Sequence, residues 1–109
     1  TMRLTSVEIE TATPATDQIA DLTIARLIAA AADGDGQACY ELGVIWSTGG
    51  HGLDCDLIEA HQWFNLAAAR GHQEAAWCRA DISDEMTARE IAEAQRRARQ
   101  WMIEHRKSA

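Results

Sequence analysis

Between Ala38 and Gly71, small residues and large aromatics recur at helical spacing on either side of a glycine-rich break. The stretch reads Ala38-x3-Leu42-Gly43-x2-Trp46-x2-Gly49, then Asp56-x3-Ala60-x2-Trp63-x3-Ala67-Ala68-x2-Gly71. Residues three and four apart share one helix face, so this spacing predicts two antiparallel helices. They approach closely at Ala and Gly, and the aromatics fill the space that remains. A hairpin of this kind cannot bury its apolar face alone; it must stack on neighbours. The pattern therefore constrains the chain to a helical stack before it suggests any chemistry.

The rest of the 109 residues fits that constraint. Hydrophobic residues make up 47%, alanine dominates them, and β-branched runs are almost absent, all of which favours helix. A first helix is expected from Asp17 to Ala32, with Ala20, Ile24, Leu27, Ile28 and Ala31 on one stripe, closed by the turn Asp33-Gly34-Asp35-Gly36. A second is expected over about Gln37 to Ser47, facing inward through Ala38, Leu42 and Ile45. Thr48 to Cys55 form a loop. Asp56-x2-Glu59 resembles a capping box and opens a third helix, which runs to about Arg70 and carries Leu57, Ala60, Phe64 and Ala67 inward. A fourth covers about Gln73 to Asp84. Thr87-x2-Glu90 caps a fifth, which runs to about His105 with Ile91, Ala94, Ala98 and Trp101 on its stripe. Residues 1–16, rich in Thr, Ser and Glu and holding Pro14, read as an extended arm, and 106–109 as a tail.

A shift of 37 residues exposes an internal repeat: Gly34 falls on Gly71, Ala38 on Ala75, Tyr40 on Trp77, and Ala30-Ala31 on Ala67-Ala68. Beyond Ala75 the match decays, with Leu42 falling on Arg79 and Gly43 on Ala80. The chain thus divides into a half repeat (17–34), an intact repeat (35–71) and a degenerate capping repeat (72–102). Terminal units of such arrays present a polar face to water, and Arg96, Arg97, Arg99 and Gln100 suit that role.

The intact unit resembles a Sel-one-like repeat, a short helical relative of the tetratricopeptide repeat. Ala38, Leu42, Gly43, Gly49, Gly52, Asp56, Ala60, Trp63, Ala67, Ala68 and Gly71 stand in that family's pattern. Trp46 replaces its Tyr, Leu53 its Val, and His51 is an inserted loop residue. The resemblance implies an all-α fold, with antiparallel helix pairs stacked as a short right-handed superhelix of about five helices. It implies a non-catalytic adaptor that holds a protein or peptide partner on its inner surface. Family members of this kind serve signalling, secretion, exopolysaccharide production or protein quality control.

Charge narrows the partners. The net charge of −7 argues against nucleic acid or an anionic membrane. Residues 1–85 carry fourteen acids and four bases, whereas residues 86–109 carry three acids and six bases. The basic last helix, through Arg89, Arg96, Arg97 and Arg99, is thus a candidate for electrostatic docking onto a partner or a second copy of the chain. A self-assembling or accessory subunit is the alternative to an adaptor. Tyr40 and Trp77 share a register opposite Ala38 and Ala75, each one turn from Val44 and Asp81. These four are the candidate binding residues of the concave side. Trp46, Trp63 and Trp101 lie on or beside apolar stripes and are expected in the core.

No catalytic or metal signature emerges. His51, Asp54, Cys55, Asp56 and His61 hold metal-capable atoms, but their spacing fits no zinc or calcium pattern. Asp33-Gly-Asp35-Gly lacks the remaining ligands of a calcium loop. Cys55 with His51 or His61 is the one nucleophile–base pairing to consider, and nothing around it suggests a pocket. No cofactor, metal or enzymatic activity is expected. Three cysteines without ligand spacing fit a reducing compartment. Residues 1–18 lack the basic run and apolar stretch of a secretory leader, and no apolar stretch approaches about 20 residues. The expectation is a cytoplasmic chain without membrane insertion, or a periplasmic one if an upstream signal was removed.

Overall fold

The computed structural model describes residues 22–106, and these are all-helical. The expected arm at 1–16, residues 17–21 of the first helix, and residues 107–109 lie outside the described residues. Helix α1 occupies residues 22–32. It is followed by α2 (Gly36–Thr48), a single 3-10 turn (Gly50–Gly52), α3 (Leu57–Ala69), α4 (Gln73–Ser83) and α5 (Ala88–Glu104).

The repeat is visible in how helices end and restart. After α1, the Gly34 amide bonds the Ala31 carbonyl and the Asp35 amide the Ala30 carbonyl, with Gly34 at φ 96°. After α3, the Gly71 amide bonds Ala68 and the His72 amide bonds Ala67, with Gly71 at φ 89°. Both are Schellman closures, in which a left-handed residue lets two amides satisfy orphan carbonyls; glycine adopts that geometry without a Cβ penalty. Each closure hands over at once to an N-cap in the same register. The Asp35 carboxylate accepts from the amides of Gln37 and Ala38. The His72 imidazole accepts from the amide of Ala75. Farther along, Thr87 and Glu90 form the expected reciprocal capping box of α5. At α3 only half of the expected box forms: Asp56 accepts from the Glu59 amide, but the Glu59 carboxylate turns instead to Arg97 of α5.

Helix α3 is the centre of the molecule, with α2, α4 and α5 all packed on it. Towards α2 it presents Ala60, Phe64 and Ala67 to Ala38, Cys39 and Leu42, all buried. Gly43 allows this approach, since a Cβ there would overlap the Phe64 ring. Trp63 is buried and meets Trp101 of α5 edge-on, with ring centroids 4.9 Å apart. Trp46 and Trp101 are partly buried against the same core. Ala94 and Ala98 seat α5 on α3. Ile28, expected on the inward stripe of α1, is instead 38% exposed; Ile24, Leu27, Ala30 and Ala31 turn that helix onto the core and leave Ile28 at its edge. The fifth helix lies along α3 rather than pairing closely with α4, which leaves one flank of α4 to water.

Candidate functional site

Two adjoining hollows open on the face shared by α1, α2 and α4, and Val44 lines both. The first, about 410 Å³, has a floor of Leu27, Tyr40, Val44 and Ile45 and a rim that includes Gln37, Glu41 and His51. The second, about 280 Å³, is floored by Val44, Phe64, Cys78 and Ile82 and rimmed by Ser47, Thr48 and Asp81. They lie side by side because Val44 borders both; Tyr40 and Leu27 line the first, and the buried Phe64 ring backs the second.

Tyr40 is fixed rather than loosely displayed. Its hydroxyl donates to Glu74 Oε2 at 3.1 Å, its ring stacks on His72 (4.4 Å between centroids, 13° between planes), and it tilts against Phe64 at 6.0 Å. The hydrogen bond to Glu74, which favours the neutral phenol, together with burial, raises its pKa above the ordinary tyrosine value. His72 is the residue that sequence reasoning missed. Its Nδ1 accepts from Ala75 and its Nε2 lies 2.9 Å from Gln37 Oε1. An accepting Nδ1 carries no proton, so Nε2–H donates to Gln37 and the ring is the neutral Nε2–H tautomer. One imidazole thus caps α4, ties it to α2 and backs Tyr40. The clue was available: in the 37-residue shift His72 falls on the cap Asp35.

Of the four candidate binding residues, Val44 shares one hollow with Tyr40 and the other with Asp81. Trp77 lines neither hollow and stands 61% exposed on α4, a large aromatic with most of its surface in water. The candidate docking arginines divide in two. Arg96 and Arg97 both bond Glu93, at 2.7 and 2.8 Å, and Arg97 also reaches Glu59 at 3.3 Å. Those bonds hold the Glu93 carboxyl down at about 2. Arg89 and Arg99 are exposed and make no ion pair among the described residues.

The metal-capable and nucleophilic candidates do not converge. Cys55 is an exposed free thiol that donates to the Ser47 carbonyl at 3.3 Å, not to a histidine. His61 is buried in α3, where burial first and the Arg79 charge second lower its pKa. His51 sits in the 3-10 turn at φ 57°, a left-handed conformation uncommon for a non-glycine residue, and faces the first hollow. Cys39 is buried and its thiol is pushed up to about 11, chiefly by burial, so it is an inert core residue. Among the described residues no three His, Cys, Asp or Glu side chains are placed to hold a metal ion, and no helix is long and apolar enough to cross a membrane.

A further hollow, bordered by Asp33, Gly34, Arg70, His105 and Arg106, lies where α1, α3 and α5 all end. Its basic side chains face three carbonyl-rich helix termini, whose partial negative charge they complement. His105 belongs to that termination: its Nδ1–H donates to the Trp101 carbonyl at 3.0 Å and its ring stacks on Trp101. Comparison with known proteins finds no family model, no curated sequence and no solved structure that this chain matches.

Proposed function

We propose that this chain is a non-catalytic interaction scaffold of the Sel-one-like type, with the α2–α4 face around Val44 as its working surface. The observation that carries this reading is the pair of apolar-floored hollows meeting at Val44, with the exposed Trp77 ring on the same pair of helices. Apolar floors with polar rims suit the side chains of a bound segment, and large aromatics are favoured anchors at interfaces. Tyr40 is held from three sides, so little conformational freedom is lost there when a partner docks.

Capture from a lysate, followed by mass spectrometry, tests the surface when run in parallel on the full chain and on Val44→Glu and Trp77→Ala. Partners retained by the wild type are expected to be lost from both variants, while circular dichroism and thermal unfolding stay close to wild type. Equal retention by folded variants would sink this surface.

Self-assembly is a second reading, favoured by Met102 and Ile103, which are exposed at the end of α5 beside the unpaired Arg99. Light scattering across protein and salt concentration separates the two, since a strict monomer throughout excludes assembly.

A further inference from the structure

The rim of the two hollows is acidic and uncompensated. Glu41 borders the first hollow and Asp81 the second, and Glu74 holds the Tyr40 hydroxyl between them. Glu41 and Asp81 are exposed, and neither makes an ion pair among the described residues. No arginine or lysine among those residues lines either hollow; His51 is the one basic side chain there. Arg26 of α1 is exposed and lies outside both linings, and Arg79 of α4 is turned to Asn65 Oδ1 at 2.6 Å. Glu93 of α5 behaves differently, because it is consumed by two arginines of its own helix. Around the apolar floor of the two hollows, negative charge is therefore left without a cation.

From this we infer that the surface takes a segment of another protein in which two aliphatic side chains are flanked by lysine or arginine. The inference rests on the binding role proposed above and names the chemistry of its partner. Leucine-sized side chains match floors made of Leu27, Val44, Ile45, Phe64 and Ile82. Flanking cations meet Glu41 and Asp81 and orient the segment. Such rim charges act mainly on encounter rate and on the rejection of wrong partners, and salt weakens them. An acidic segment would place like charges together and is excluded on that ground.

The test uses the full ¹⁵N-labelled chain and a short synthetic peptide with two leucines flanked by lysines, beside counterparts carrying glutamine or glutamate in place of lysine. Chemical shifts of Tyr40, Val44, Ser47 and Asp81 are followed through each titration. The lysine peptide is expected to bind about tenfold more tightly than the glutamate peptide, and to weaken between about 50 and about 300 mM salt. The double variant Glu41→Gln/Asp81→Asn alters exposed side chains only and should reduce lysine-peptide affinity about fivefold. Equal binding of all three peptides at these amides would overturn the inference and leave the binding surface standing. Silence at these amides with every peptide would remove both. Shifts that instead follow protein concentration without peptide, and vanish in Arg89→Gln/Arg99→Gln, would make the occupant a second copy and overturn the foreign segment.

Discussion

Helices α2 and α4 fall on each other in the 37-residue shift, and yet they are two kinds of helix. Helix α2 runs between α1 and α3, and in its second half it is apolar where the shift pairs it with Arg79, Asp81 and Ser83 of α4. Leu42 is fully buried where Arg79 reaches Asn65; Gly43 is wedged against Phe64 where Ala80 is exposed; Val44 lines both hollows where Asp81 forms a rim. Helix α4 touches α3 along one side only, because α5 lies on α3 instead of closing over it. A helix packed on both sides must be apolar over a wide arc, whereas a helix packed on one side needs only a narrow stripe. The repeat therefore decays in sequence where the second neighbour is missing. The face that results is mixed, with apolar floors and rim acids drawn from both helices and an exposed aromatic supplied by α4.

Substitution at the Gly43/Ala80 pair separates the two helices most sharply. Gly43→Ala forces a methyl group into the Phe64 ring and should destabilise the fold by about 2–3 kcal/mol, as overpacking does. Thermal unfolding would show this as a fall of about 8–24 °C, at about 4–8 °C per kcal/mol for a domain of this size. Ala80→Ser, exposed on α4, should stay within about 0.5 kcal/mol of wild type. Trimming the ring in Gly43→Ala/Phe64→Leu should cost less than the sum of the two single changes. Equal losses at Gly43 and Ala80 would break the distinction between a two-sided and a one-sided helix.

The paired N-caps come next in size. Asp35→Ala removes a side chain that accepts from two amides and should cost about 1 kcal/mol in chemical denaturation. His72→Ala removes the α4 cap and also the stack on Tyr40 and the bond to Gln37, so it should cost more than Asp35→Ala. His72→Asp restores the kind of cap found at Asp35 without the stack. It should recover part of the loss while leaving Tyr40 less ordered, seen as faster ring flipping by NMR. If His72→Asp matched wild type in both respects, the imidazole would be a cap and nothing more.

Most of this architecture was legible in the sequence because it depends on local rules. Gly34 and Gly71 mark helix ends by backbone geometry, Thr87-x2-Glu90 caps by reach along one turn, and alanine and tryptophan spacing marks the buried stripes. The site was only half legible. Tyr40, Val44 and Asp81 were marked by register, but the hollows around Val44 depend on how α1 crosses α2, and spacing within a helix carries no crossing angle. His72 escaped because histidine is an uncommon cap, and its stack on Tyr40 spans two elements. Glu59 likewise looked local, as the second half of a capping box, until Arg97 of another helix competed for its carboxylate.

The smallest expected effect lies on α3, between the two helices. Its α2 side is apolar, whereas near α4 it carries His61, buried with no partner for Nδ1 among the described residues and under the Arg79 charge. Burial lowers the pKa of His61 in the folded chain below the value it takes when unfolded. Above the unfolded value, about 6.5 for histidine, both states are neutral and the fold has its full stability. As pH falls through that value, the unfolded chain takes up a proton that the folded chain resists, so stability declines until the folded pKa is also passed. His61→Leu removes this difference and the unpartnered nitrogen together. Its unfolding free energy, measured against wild type between about pH 7.5 and about pH 5, should fall less steeply with acidification. The gap between the two curves should widen towards low pH. Parallel curves would mean that His61 takes up its proton equally in both states, and that the α4 side of α3 is as open to water as the exposed flank of α4 itself.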